Sequence, residues 1–164
     1  MLKVCGMVVL GLGLCAGCAS RSSNQPATPA RAAQTASAQA PARMTPQDYQ
    51  ARMKNIGPTS ASLRMHLMSG MTAEAAKEAQ QLAVWFGDVE RFWLENKKAD
   101  AAKFAATARM YATEAAGAAT GGDAMKASMA ANNMQGMCKQ CHGMYREVDP
   151  NGGFRIKPGV IPGA

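Results

Sequence analysis

The chain has 164 residues and a formal net charge of +7. This length suits one small domain once terminal segments are set aside. Although basic residues outnumber acidic ones, they are scattered along the chain rather than grouped on one segment, so the charge is not a nucleic-acid-binding signature.

The N-terminus has the layout of a secretory signal peptide. Lys3 precedes an uncharged apolar run from Val4 to Leu14, and small residues follow. The apolar run is too short to span a membrane and a polar stretch comes after it. We therefore predict that residues 1–18 are a signal peptide and that the mature protein is periplasmic.

The end of that segment also resembles the cleavage box of bacterial lipoproteins, in which Cys18 becomes the lipidated first residue. Cys15 stands where an aliphatic residue is usual, so cleavage by the ordinary signal peptidase near Ala19 or Ala40 remains an alternative. A lipidated Cys18 would carry more than one acyl chain, which is enough for stable membrane anchoring. Cleavage leaves Cys138 and Cys141, with or without Cys18, and no set of cysteines for a disulfide framework.

Residues 19–44 are rich in Ala, Ser, Thr, Gln and Pro and contain no acidic residue. This composition predicts a disordered linker. The domain that follows, residues 45–148, is poor in strand-forming residues and rich in Ala, Met, Lys, Glu and Gln. We therefore predict an all-α domain.

The first two predicted helices carry clear apolar stripes with steps of three and four residues. Helix one starts after Thr45-Pro46, a cap followed by proline at the first helical position, and Gly57-Pro58 should kink it or end its first part near Ile56. Its stripe is Tyr49, Met53, Ile56, Ser60, Leu63 and Leu67. The second helix begins at Thr72, and its stripe is Ala75, Ala79, Leu82, Phe86, Val89 and Trp93.

Two further helices complete the predicted domain. The third begins at Asp100 and ends at Gly121-Gly122, with the stripe Ala101, Phe104, Ala108, Tyr111, Ala115 and Ala118. The fourth begins at Asp123, with the stripe Ala124, Ala127, Ala131, Met134, Cys138, Cys141, Tyr145 and Val148. Short connections favour antiparallel neighbours, so we predict an up-down-up-down four-helix bundle.

A C-terminal extension, residues 149–164, follows the predicted bundle. It opens with the turn-forming run Asp149 to Gly153 and continues with alternating apolar and basic residues from Phe154 to Lys157. Such a segment could fold back over the functional site as an irregular arm, and a disordered tail is the alternative.

The motif Cys138-Lys139-Gln140-Cys141-His142 is typical of a c-type haem attachment site. Thiols three residues apart lie on one face of a helix, so each can bond one vinyl group of the same porphyrin. His142 can then ligate the iron. A dithiol redox pair, half of a zinc site and two structural cysteines are the alternatives. Neither of the first two needs the adjacent histidine, and the mature chain has no second cysteine pair.

In the predicted topology the end of the fourth helix lies beside the start of the first, which brings His142 level with residues 51–54. Met53 is the core-facing residue there, and a thioether is an established sixth ligand of haem iron. With 13 methionines in the chain, ordinary core packing of Met53 is the alternative. His66 lies thirteen residues further along, about 20 Å away, so we expect it to be a partly exposed surface histidine.

These motifs resemble the cytochrome c-prime family. The run Tyr49 to Gly57 is similar to the start of the family's first helix, and Met53 matches the distal methionine of its low-spin branch. The ending Cys138 to Arg146 matches the family's C-x-x-C-H-x-x-aromatic-Arg pattern, so the resemblance implies that Arg146 lies close to the haem. Tyr49 stands where the family often has an arginine. The resemblance also implies a homodimer.

The sequence thus predicts a one-electron carrier with a single covalent haem c, ligated by His142 and Met53. Its basic surface would favour transient docking to acidic redox partners, and we expect no nucleic-acid partner. The alternative is a five-coordinate haem module that binds nitric oxide or carbon monoxide. We expect no enzyme activity, because no second histidine or acid is placed on the distal stripe to act as a general base.

Overall fold

The computed structural model describes residues 43–162, of which about 76% are helical. The prediction of four packed helices is confirmed. Among the described residues, no helix is long and apolar enough to cross a membrane. The signal peptide of residues 1–18, Cys18 and most of the predicted linker lie outside the described range. The helices are α1 (Pro46–Met68), α2 (Thr72–Glu95), α3 (Ala99–Thr120) and α4 (Ala124–Tyr145).

Helix α1 begins with the predicted cap and continues past Pro58. The Thr45 hydroxyl accepts a hydrogen bond from the Asp48 N–H, and the Asp48 carboxylate accepts one from the Thr45 N–H. Of the two predicted effects of Gly57-Pro58, a kink or an end near Ile56, the end is not observed, since the helix runs unbroken to Met68. Pro58 cannot donate to the carbonyl of Lys54, but both residues are exposed, so water can satisfy that carbonyl.

The connections between helices are short and use glycine where the backbone turns. Gly70 and Gly122 have φ values of 71° and 78°, a left-handed conformation that ends α1 and α3 at little steric cost. The Asp123 side chain then caps α4 by accepting from the Lys126 N–H. Each helix packs against the next in sequence, and α1 also packs against α4.

The core combines large side chains from α2 with small ones from α3. All six stripe residues predicted for α2 are buried, and Trp93 and Leu82 are completely so. Every buried residue of α3 is alanine, whereas Phe104 and Tyr111 of the predicted stripe are only partly buried. Alanine side chains let helices approach closely but fill little volume. The bundle therefore has room for a cavity on the side where α3 faces the end of α4.

The chain after α4 forms a hairpin that the sequence did not predict. Strand β1 (Arg146–Val148) pairs antiparallel with β2 (Phe154–Ile156), and Gly152 and Gly153 with positive φ make the turn. Val148 was expected on the core stripe of the fourth helix, which is wrong: α4 ends at Tyr145 and Val148 is 71% exposed. Buried Ile156 and Ile161 anchor the segment that follows β1 to the bundle.

Candidate functional site

A cavity of about 460 Å³ lies between the helices and the hairpin. Helices α1 and α4 form two of its walls, and apolar side chains from α2 and α3 complete the lining. Every candidate site residue of the folded domain lines it: Tyr49, Met53, Cys138, Cys141, His142 and Arg146. The structure therefore brings together residues that lie up to 97 positions apart in the sequence.

The α4 wall presents two thiols and an imidazole. Cys138 and Cys141 are half-buried on consecutive turns of the same helix face. Burial raises the pKa of Cys138 to about 11 and, with the nearby Cys138 sulfur, that of Cys141 to about 12. Burial, with a smaller contribution from Arg146, lowers the pKa of His142. Burial therefore disfavours the thiolate forms of the two cysteines and the protonated form of the imidazole.

The α1 wall faces those groups with a thioether and a hydroxyl. Met53 is half-buried and packs against the core, with buried Tyr49 one turn earlier. Gly57 has no atom within 4 Å of where a Cβ would lie, so this part of the wall leaves open space. Ser60 is only 9% exposed, and its Oγ has no hydrogen-bond partner within the described part of the chain. Ser60 is thus an unpartnered polar group in a largely apolar lining.

Tyr49 and Tyr145, which line the cavity, belong to a buried aromatic cluster. Tyr49 stacks on Phe92 with ring centroids 4.5 Å apart, and Trp93 contacts the rings of Tyr49 and Tyr145 at 5.4 and 5.3 Å. The Tyr145 hydroxyl donates to the Asp100 carboxylate, and this hydrogen bond lowers the pKa of Asp100. The cluster joins α1, α2 and α4 through close ring contacts. It therefore fixes the two tyrosines that face the cavity.

The mouth of the cavity is rich in positive charge. Lys54, Lys139 and Arg146 line it and are exposed. The Arg146 guanidinium lies 4.0 Å from the ring centroid of Phe154 on the facing strand. Arg155 also lines the cavity, and its guanidinium bonds the Glu147 carboxylate at 2.7 Å. The mouth can thus receive an anionic group beside an apolar interior.

Several lining residues were not identified as site residues from the sequence. The hairpin contributes Gly153 to Ile156, and α3 contributes Phe104, Ala105 and Ala108. The only sequence signal for the hairpin's contribution to the lining was a run of turn residues followed by alternating apolar and basic residues. His66 does not line the cavity: it lies near the other end of α1 and pairs with Glu78, as expected for a partly exposed histidine.

The chain matches no protein-family model, no curated protein and no solved structure. Among residues 43–162, no three His, Cys, Asp or Glu side chains are grouped so that they could hold a metal ion. The cavity lining includes two thiols, one imidazole and the thioethers of Met53 and Met137.

Proposed function

We propose that the chain is a periplasmic c-type cytochrome that carries single electrons through one haem. The haem would be bonded to Cys138 and Cys141 and ligated by His142 and Met53. One observation carries the proposal: all four residues line a single cavity, three on α4 and the thioether on α1. A dithiol pair or two structural cysteines would need neither the cavity nor the facing methionine.

The lining fits a haem in several respects. The volume lies within the range of cofactor sites, and the interior is mainly apolar. The thiols are half-buried beside that interior, where they can bond a porphyrin edge, and His142 offers a neutral ring nitrogen. Exposed Lys54 and Arg146 at the mouth could pair with the haem carboxylates.

The proposed ligands make the site suited to electron transfer. The haem supplies a one-electron redox couple, and His/Met ligation raises its reduction potential. His142 and Met53 would both hold the iron, and a haem held by two protein ligands would supply electron transfer and offer no open position to a substrate. Tyr49 and Tyr145, held by the aromatic cluster, would keep water from the inner edge of the group.

We further propose that the bundle runs up-down-up-down. Two contacts support this topology: Tyr49, near the start of α1, stacks on Phe92 near the end of α2, and Asp100, near the start of α3, accepts a hydrogen bond from Tyr145 at the end of α4. Both contacts are expected of antiparallel neighbours. In this arrangement the C-terminal extension would be an arm at the haem edge, a role that the hairpin's lining residues support.

The proposed partners follow from charge and from the N-terminal sequence. Exposed Lys54, Lys139 and Arg146 at the cavity mouth would steer acidic redox proteins toward the haem edge. A lipid on Cys18 would hold the domain at the membrane through the linker, and a homodimer is the oligomeric state that the family resemblance implies. Nucleic acid is not among the proposed partners.

Substitution of Met53 tests the ligand assignment. In Met53→Ala, we expect the sulfur-to-iron absorption band to disappear, the haem to become high-spin and carbon monoxide to bind the reduced protein. Met137→Ala is the matched control, because Met137 lines the same cavity from α4 and is also half-buried. A Met53→Ala spectrum identical to that of the parent would show that Met53 is not the ligand.

Ser60 favours one second candidate, a five-coordinate haem module that binds nitric oxide or carbon monoxide. Its buried hydroxyl has no partner within the described residues and lies on the same wall as Met53, two turns away, beside the open space at Gly57. A hydroxyl there could donate to a small ligand. Carbon monoxide binding by the unmodified reduced protein would favour this candidate over the electron carrier.

A further inference from the structure

The two arginines of the hairpin are partnered differently. Arg155 donates to the Glu147 carboxylate from Nε at 2.8 Å and from Nη2 at 2.7 Å, so its charge is balanced within the hairpin. Arg146 is exposed and, among residues 43–162, its side chain forms no ion pair and donates no hydrogen bond. Arg146 therefore keeps both its charge and its N–H donors for a ligand.

The strand register brings a phenyl ring to this arginine. Arg146 lies directly opposite Ile156, and Val148 lies directly opposite Phe154. Side chains two positions apart lie on the same face of a strand, so Arg146 and Phe154 are diagonal neighbours on one face of the hairpin. The Arg146 guanidinium carbon lies 4.0 Å from the centroid of the Phe154 ring, well inside the range of a cation–π contact.

The contact with Arg146 is the main role that the structure gives to the Phe154 ring. Phe154 is 57% exposed, whereas Ile156, two positions later on the same strand, is 6% exposed and anchors the strand. An arginine side chain that a ring already holds loses less conformational freedom when it binds a ligand. A cation–π contact engages the face of the guanidinium, whereas carboxylates bind the N–H groups at its edge. The contact therefore orders Arg146 and leaves its donors available.

We propose that Phe154 is a positioning residue that holds the Arg146 guanidinium ready to bind a haem carboxylate at the cavity mouth. Both residues line the cavity. The inference rests on the proposed function, because the haem supplies the carboxylate. It goes further by giving the C-terminal extension a specific task, since Phe154 belongs to β2 of the hairpin. Phe154 acts through Arg146 and need not touch the haem itself.

Nuclear magnetic resonance of the Arg146 side chain tests this role in the reduced, haem-loaded full chain. In the parent, we expect the ring to shift the Arg146 δ-proton resonances upfield, and the Nε–H to exchange slowly with water because a carboxylate accepts its hydrogen bond. Phe154→Leu keeps an apolar side chain and removes the ring, so the upfield shift should disappear. The Nε–H exchange rate should rise by about two-fold to five-fold, the factor that corresponds to an exposed cation–π contact. Phe154→Tyr restores a ring and should restore the upfield shift and the slow exchange.

Val148→Ala is the matched control, because Val148 lies opposite Phe154, is 71% exposed and does not line the cavity. This variant should leave the Arg146 resonances and the exchange rate unchanged. Equal changes in Val148→Ala and Phe154→Leu would mean that Phe154 only supports the hairpin, and would overturn the proposal.

Sodium acetate in excess supplies a competing carboxylate from solution, with sodium chloride at equal ionic strength as the control for screening. We expect the Arg146 resonances of the parent not to respond to acetate, because a haem carboxylate already occupies the guanidinium. A response to acetate alone would show that Arg146 is unoccupied in the loaded protein, which overturns the proposal.

The visible spectrum, recorded first, separates the two possible failures. Absence of covalent haem would refute the proposed function and, with it, the ligand of Arg146. Covalent haem together with identical Arg146 resonances and exchange rates in the parent and Phe154→Leu would refute the role of Phe154 alone.

Discussion

The size of the cavity predicts that the haem-free protein is barely stable. The test compares the double variant Cys138→Ser/Cys141→Ser, produced without haem, with the haem-loaded parent protein. Cavities in protein cores cost about 24 cal/mol per Å³, so a closed cavity of 460 Å³ would cost about 11 kcal/mol. Water entering at the mouth lowers this cost, so the figure is an upper bound. Even a fraction of it is large against the roughly 5–15 kcal/mol of net stability typical of a domain.

The assay is unfolding by heat and urea, followed by circular dichroism. We expect the haem-free variant to have lower helicity and a much lower unfolding midpoint than the loaded protein. Equal helicity and equal midpoints in the two proteins would refute the reasoning, because the cavity would then carry no cost that a haem removes.

A cavity-filling substitution is the control for this prediction. Ala108 lines the cavity and is 2% exposed. Ala108→Phe should stabilise the haem-free chain by about 2 kcal/mol, the value of burying an aromatic side chain, while preventing haem from entering. Ala127, which is completely buried but does not line the cavity, provides the comparison. Ala127→Phe should destabilise the chain by about 1–3 kcal/mol through overpacking.

Three further predictions concern the scaffold, and urea unfolding of the loaded protein tests each. Trp93→Ala should lower the free energy of unfolding by about 3–5 kcal/mol, because Trp93 is fully buried and contacts rings from α1, α2 and α4. A decrease of less than about 1 kcal/mol would contradict its central role in the core. Pro58→Ala should stabilise the protein by about 2 kcal/mol, since it restores a helix hydrogen bond at an exposed position; no gain would mean that Pro58 lies in a backbone that already accommodates it. The Thr45 hydrogen bonds lower the pKa of Asp48 below 3.8, so their stabilisation is present above that pH and is lost as pH falls through the folded pKa. Thr45→Ala should therefore lower the free energy of unfolding at pH 7. Below pH 4, the variant's free energy of unfolding should fall less steeply with pH than that of the parent. An equally steep fall in the two proteins would contradict the predicted direction.

The helices were predictable because their signals are local. The Thr45 cap, the Gly121-Gly122 end of α3 and the stripe of α2 each involve residues within a few positions of one another. The continuation of α1 past Pro58 was not predictable, because it depends on the burial of the opposite helix face. The sequence shows that proline breaks one hydrogen bond, but not how much packing opposes the break.

The reactive side chains of the candidate site could be predicted from the sequence, whereas much of the cavity lining around them could not. The motif ending at His142 and the core position of Met53 both followed from helix periodicity, and both residues line the cavity. The contribution of α3 to the cavity lining was not predictable. Alanines occur on every face of this helix, so the sequence does not show which face borders a cavity. The pairing of β1 with β2 was missed because strands of three residues carry too little pattern.

The visible absorption spectrum of the purified, haem-loaded protein tests the central claim most directly. It would be recorded oxidised and dithionite-reduced, with and without carbon monoxide. The account predicts covalently attached haem, a sharp reduced alpha band, a sulfur-to-iron band in the oxidised form and no response to carbon monoxide. A protein that carries no covalent haem at Cys138 and Cys141 would contradict the account. A broad high-spin spectrum that shifts on adding carbon monoxide would contradict His142/Met53 ligation and electron carriage.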